Sequence, residues 1–231
     1  RGVAKFALNS SLETLPTADN LKRWGKRASD LCVICNGQGK QTLNHVFSSC
    51  TVSLTQGRFT WRHDSVLKTL STFLSGKLRD GFQLFVDLTG QDAGGGRIFP
   101  QEIIVTNQRP DVVVINAEKR NVIIFELTCP FDSNVDTAHE YKMNKYAALV
   151  NDLNISGFVV DLFCVEVTVR GQITKANRAR IKSFVLKTTA QRRNVSVDLI
   201  CRLSRASLLS SFSIFCARNE ANWQIDQGIV L

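Results

Sequence analysis

No apolar run in the sequence approaches the roughly 18 residues of a membrane span, and no signal-peptide pattern is present. A membrane is therefore the weaker choice of partner. Internal repeats and low-complexity tracts are also missing. The seven cysteines are odd in number and only three of them cluster, which argues against a disulfide framework and for a reducing compartment. Cys129, Cys164, Cys201 and Cys216 stand singly in apolar surroundings and are expected to be buried reduced thiols.

What is present suits a globular chain. It has 231 residues, 44% hydrophobic and 21% charged, enough for one full core and a small satellite module. Arg1 stands first, followed at once by mixed apolar and polar sequence, so a piece of a longer protein is expected. The net charge is +9. Such an excess favours a polyanionic partner through counterion release and steering; a basic surface that serves only solubility is the alternative.

Pro16 forbids one continuous helix through residues 1–30, so two short pieces joined by a bend are expected there. Val66, Leu67, Leu70, Phe73 and Leu74 predict a helix over about 64–77. A strand is expected near Phe82–Leu88, and Gly94-Gly95-Gly96 reads as a loop rather than a phosphate cradle. Two β-branched runs, Asp111–Ile115 and Val122–Phe125, flank the polar turn Ala117-Glu118-Lys119-Arg120 and predict a hairpin. Both strands are apolar on both faces, so the sheet should be covered on both sides, as in a layered α/β domain. A helix over 134–152, a strand near 157–167 and helices over 174–189 and 195–217 complete the expected order.

Cys32-x2-Cys35-x9-His45-x4-Cys50 offers three thiolates and one imidazole, a closed tetrahedral set for structural zinc. The x2 pair fits one tight turn, Asn36-Gly37-Gln38-Gly39 lets the chain reverse, and a short helical stretch can present His45 and Cys50. A set this compact depends on the metal for most of its folding energy. The plainer alternative is a chance coincidence of residue types, with Cys32 and Cys35 simply packed.

Arg109-Pro110-Asp111 opens the first hairpin strand and Glu126 closes the second. A two-residue turn at Glu118-Lys119 makes paired residues sum to 237 and sets Asp111 opposite Glu126. Directly opposed residues share a face, with Cβ atoms about 4.5–5.5 Å apart. Two carboxylates placed so repel, and burying either is costly. A divalent cation between them removes both costs, and oxygen ligands suit Mg2+ or Mn2+. Alternatively, Asp111 merely starts a strand and Glu126 pairs with a nearby Arg or Lys. Lys142 and Lys145 share a face of the following helix, from which one of them can reach the acids; a solvated basic face is the alternative.

These residues carry a resemblance. Pro110-Asp111, a gap of 14 residues and Glu126 resemble the PD-(D/E)XK, or restriction-like, nuclease core, except that Thr128 stands where its lysine is usual. The pattern is similar to that of the restriction-like endonucleases of site-specific non-LTR retrotransposons. Their motif reads Arg/Lys-Pro-Asp and then an acid, and their lysine comes from the next helix. Lys142-Met143-Asn144-Lys145-Tyr146 resembles the Lys-x-x-Lys-Tyr pattern of that helix. Leu12-Glu13-Thr14-Leu15-Pro16-Thr17 is similar to the Ala-Leu-Pro-containing motif before their zinc knuckle, and Arg62-His63-Asp64 to the Arg-His-Asp segment after it.

The resemblance implies a restriction-endonuclease-like α/β core preceded by a CCHC knuckle. It divides the chain into a linker (1–30), the knuckle and its connection (31–63), the endonuclease domain (64–190) and a helical extension (191–231). It also implies a larger protein with a reverse transcriptase. Target DNA and the element's RNA become the partners, and the place of action is the nucleus after a cytoplasmic ribonucleoprotein stage. Asp111 and Glu126, with the Leu127 carbonyl, are then expected to hold Mg2+ or Mn2+, and Lys142 or Lys145 to be the catalytic lysine. Arg109, Arg62, His63, Lys22, Arg23 and Tyr146 are expected to contact nucleic acid. The competing expectation is a zinc-containing nucleic-acid-binding tail without catalysis.

Overall fold

β-Branched runs without polar alternation make strands that need cover on both faces, and the computed structural model gives them that. It describes residues 2–88, 99, 100, 102–190 and 195–224. Strands β1 (Gln83–Val86), β2 (Val112–Asn116), β3 (Asn121–Thr128) and β4 (Val159–Glu166) form one sheet in the order β1-β2-β3-β4. β2 pairs antiparallel with both β1 and β3, and β4 lies parallel to β3. A parallel neighbour needs a crossover, which helix α5 (Val135–Ile155) supplies.

Strand alternation assigns the two faces. Val113, Ile115, Val122 and Ile124 pack with Tyr146, Leu149 and Leu153 of α5. Val112, Val114, Ile123, Phe125 and Leu127 turn the other way. They meet a larger core built by α4 (Arg58–Leu74), α6 (Lys175–Thr188) and α7 (Val195–Cys216). The Phe125 and Phe184 rings lie 4.6 Å apart in that core. Each fully buried side chain of this size contributes about 1.5–3 kcal/mol, so the two-sided cover is what holds the sheet. By the same alternation Asp111, Glu126, Cys164 and Glu166 fall on the α5 face.

A second core anchors the N-terminal segment. Helices α1 (Gly2–Ser11) and α2 (Ala18–Arg23) are separated at Pro16, and the Thr17 hydroxyl accepts the Asn20 N–H at 3.2 Å to cap α2. Phe6, Leu15, Leu43, Val46 and Phe47 pack against Ile214 and Phe215 near the end of α7. Short α3 (Thr51–Thr55) leads into α4. Against the expectation that no segment approaches a membrane span, α7 reaches that length and mean hydropathy over Ser196–Cys216, although charged residues interrupt it. It uses Leu199, Leu203 and Ala206 in the sheet core and Ile214 and Phe215 in the second one.

Three expectations change. The hairpin loop is the four residues 117–120, not two, because Lys119 N–H bonds the Asn116 side chain (2.9 Å) and Arg120 takes a left-handed φ of 48°. The register is unaffected, since Val112 pairs with Phe125 as expected. α4 begins at Arg58, well before residue 64, because the residues just before the apolar run also find partners on its buried side. Cys201 and Cys216 are exposed, while Cys164 is buried and Cys129 half-buried; the apolar neighbours of Cys201 and Cys216 in sequence face the other side of α7. Gly94-Gly95-Gly96 lies outside the described residues.

Candidate functional site

Local geometry builds the cysteine cluster. Gly37 N–H donates to the Cys32 carbonyl at 2.9 Å and Gln38 N–H to that of Cys35 at 3.1 Å. Asn36 and Gly37 take φ of 50° and 77°, which reverses the chain so that Leu31 and Lys40 bridge. A Cβ at Gly39 would lie 3.0 Å from the His45 ring, so glycine lets this loop close on the ligand. His45 and Cys50 bracket a π-helical turn, His45–Ser49, closed by the Cys50 N–H on the His45 carbonyl at 2.9 Å.

The ligand atoms of Cys32, Cys35, His45 and Cys50 all lie within 4.8 Å of one another, with Cys35 Sγ 3.5 Å from His45 Nε2. These separations suit a tetrahedron with zinc–sulfur bonds of about 2.3 Å and a zinc–nitrogen bond of about 2.0 Å. All three cysteines are buried, and burial chiefly pushes the Cys32 thiol up to about 11. Bound zinc would reverse that tendency, because coordinated thiols lose their protons. Four protein ligands would fill a tetrahedral shell, as in structural zinc sites.

The second constellation lies where β2 begins and β3 ends. Glu126 Oε2 accepts the Asp111 N–H at 3.0 Å, and Asp111 Oδ2 accepts the Leu127 N–H at 2.7 Å. Asp111 is 8% exposed and Glu126 1%. Lys142, from α5, donates its ammonium to Glu126 Oε1. His63, from α4, sets Nε2 3.3 Å from Asp111 Oδ2 and Nδ1 3.0 Å from Asp64 Oδ1.

The charges at this site act on one another. Burial, and then the charge of Asp111, raise the Glu126 pKa above the usual carboxylate range despite Lys142. Burial opposes a charge on His63, yet its bonds to Asp111 and Asp64 hold it well above its ordinary value. Burial likewise opposes the Lys142 charge, and Glu126 outweighs it. The site thus gathers three acids (Asp111, Glu126 and the more exposed Asp64) and two cations in a partly desolvated corner, an arrangement found at functional sites and in structural ion networks alike.

The structure separates the two lysines. Lys145 pairs with neither acid directly; it donates to the Tyr146 hydroxyl at 2.9 Å, which itself lies in hydrogen-bonding reach of Glu126, and its ammonium is 4.7 Å over that ring. Tyr146 is fully buried and donates its hydroxyl to the Arg109 carbonyl at 3.0 Å. A direct nucleic-acid contact is closed to it; it holds the segment that leads into Asp111. Arg62 is corrected in the same way. It is 2% exposed and donates to the carbonyls of Phe47 (3.0 Å) and Cys129 (3.3 Å), tying the zinc turn to the end of β3. Arg109 reaches the surface, where its guanidinium pairs with Asp87. Lys22 and Arg23 are exposed on α2, the first paired with Asp30 and the second with Asp19.

One neighbouring network was not anticipated. Glu166 closes β4 on the face of Glu126, with Oε1 3.0 Å from His139 Nδ1. Arg180 donates to His139 Nε2 (3.1 Å) and to Asn177 (2.7 Å), whose amide holds the Glu166 carbonyl at 3.0 Å. A sequence signal existed: like Glu126, Glu166 is an acid that interrupts a long apolar strand.

Residues 3–56 match the model of a family described as zinc-binding in reverse transcriptase. The match contains all four zinc ligands and ends before α4 and the sheet. No curated protein matches the chain.

Proposed function

We propose that this chain is the zinc-bearing, metal-dependent DNA endonuclease region of a non-LTR retrotransposon protein, with its sheet as a restriction-like nuclease core. The observation that carries this reading is the opposed pair Asp111 and Glu126, fastened together at 3.0 Å and flanked by Lys142 from the next helix. The family match upstream supports the reverse-transcriptase context.

Asp111 and Glu126 fit a hard cation. Their carboxylates come from adjacent strands. The Leu127 carbonyl leaves the strand edge that its N–H shares with Asp111, and such all-oxygen sets suit Mg2+ or Mn2+. Bound there, the ion supplies Lewis-acid polarisation of a phosphate oxygen and a more acidic water. Lys142 offsets the negative charge that develops on the scissile phosphate. His63 holds Asp111 in its orientation, and Tyr146 holds the Arg109 carbonyl. Arg109, Lys22 and Arg23 offer exposed cations to the backbone of target DNA and element RNA.

The test is nicking of supercoiled plasmid in Mg2+. The zinc-loaded protein is expected to convert it to open circles, and Asp111→Ala to lose that by about 100-fold or more. A second reading, a zinc-containing nucleic-acid-binding tail, draws support from Thr128 at the position of the usual strand lysine. It predicts nucleic-acid binding with no nicking by either protein.

A further inference from the structure

We infer that Trp24 is a stacking platform for an unpaired nucleotide, set in a preformed notch between α1 and α2. The inference rests on the nucleic-acid-binding part of the proposed function and uses none of its nuclease chemistry. Trp24 is 44% exposed on a rigid support. α2 ends beneath it in a closed cap, with Lys26 N–H on the Leu21 carbonyl (2.8 Å), Gly25 N–H on that of Lys22 (2.9 Å), and Gly25 at φ 68°. The indole is therefore presented by a fixed turn rather than by a loose loop.

Beside it lies an open concavity of about 450 Å3, walled by Leu12, Glu13, Thr14, Asn20, Arg23 and Trp24. Leu12 is 62% exposed and extends the apolar wall. Arg23 forms part of the wall of the notch. In sequence, residues 18–40 hold five basic side chains (Lys22, Arg23, Lys26, Arg27, Lys40) against Asp19 and Asp30; Lys22 and Lys40 share Asp30, and Arg23 pairs with Asp19. Lys26 sits 6.0 Å from the Trp24 ring, and the Arg23 side chain is 65% exposed. The single acid of the notch, Glu13, pairs with Arg170 at 3.0 Å, so its charge is offset.

An aromatic face among cations is the arrangement that binds single strands, because every base has a π-face and every linkage a phosphate. A protein partner for this surface would have to be acidic as well as apolar. Duplex is disfavoured, since its bases are stacked on one another and cannot meet the indole.

The test compares zinc-loaded wild type, Trp24→Phe and Trp24→Ala in binding a labelled 12-nucleotide strand, as DNA and as RNA, and the DNA duplex of the same sequence. Trp24→Ala is expected to weaken single-strand binding by about 5- to 100-fold, Trp24→Phe to retain most of it, and duplex binding to change less than about twofold. Single strands should also quench indole emission in the wild type and lose that component in Trp24→Ala. The DNA and RNA arms identify which strand the notch prefers. Equal single-strand affinity in all three proteins overturns the inference and leaves the surface to a protein partner; an equal loss for single strand and duplex also overturns it. Plasmid nicking is read separately, so failure of the stacking platform and failure of the nuclease reading are distinguishable.

Discussion

The Asp111 N–H donates to the Glu126 carboxylate at 3.0 Å, while the Asp111 carboxylate accepts the Leu127 N–H at 2.7 Å. Each acid is thereby fastened to the strand that bears the other, and neither can swing off the shared face without breaking a buried hydrogen bond. Folding has placed two like charges together and stabilised the placement with backbone donors. Lys142 and His63 then offset part of the repulsion. On the proposed reading, these two acids, locked side by side, are the donor set for the cation.

The lysines should separate in experiment. Lys142→Ala leaves Glu126 buried without its counter-charge and is expected to destabilise the protein by about 3 kcal/mol. It should also slow nicking by about 100-fold. Lys145→Ala, which removes the donor to the Tyr146 hydroxyl beside Glu126 but no direct ion pair with an acid, is expected to change both quantities less. Adding Glu126→Gln to Lys142→Ala should recover part of the lost stability in denaturant titrations, as coupled neighbours do. Equal effects from the two lysines would contradict the assignment.

Arg62 is predicted to matter for stability and not for DNA contact. Arg62→Ala leaves the Phe47 and Cys129 carbonyls short of a donor and should cost about 2–4 kcal/mol. The slope of log affinity against log salt should stay as in the wild type. Arg23→Ala, at the surface, should leave stability intact and reduce that slope by about 0.9.

Tyr146→Phe should lower stability by about 1 kcal/mol through loss of the hydroxyl bond to the Arg109 carbonyl. DNA affinity should be unchanged at saturating zinc. A large loss of affinity with full stability would restore the direct contact that its burial excludes.

Removing zinc should loosen more than the cysteine turn. Val46 and Phe47 lie between ligands His45 and Cys50 and pack on Phe6 and Phe215. Chelation, or Cys32→Ser, is therefore expected to raise hydrogen exchange in residues 2–56 and in the last turns of α7. The strands β2 and β3 should keep their protection. Metal analysis should find one zinc per chain in the wild type; exchange confined to residues 32–50 would contradict this coupling.

The parts legible in the sequence are those governed by local pattern. β-Branched runs on either side of a polar turn specify the hairpin, and the register of 112 with 125 follows from where the turn sits. The ligand spacing specifies the zinc turn because metal geometry leaves little freedom. What could not be read depends on tertiary orientation. Lys142 and Lys145 share one face in sequence, and only the burial of Tyr146, Leu149 and Leu153 sets the rotation of α5 that sends Lys142 to Glu126. Arg62 sits in Trp61-Arg62-His63-Asp64, which resembles surface sequence. Yet α4 is enclosed between the zinc turn and the sheet, and the guanidinium finds carbonyls there rather than phosphates. Cys201 and Cys216 show the same limit: apolar neighbours along the chain do not fix which side of a helix is buried.

Manganese binding tests the cation pair most directly, since Mn2+ can replace Mg2+ among oxygen ligands and is read by its electron paramagnetic resonance. With the cysteine site filled by zinc, the wild type is expected to bind Mn2+ between the two acids, and Asp111→Asn and Glu126→Gln each to lose that ion while remaining folded. Undiminished Mn2+ binding in both variants, or none in the wild type, would contradict the account.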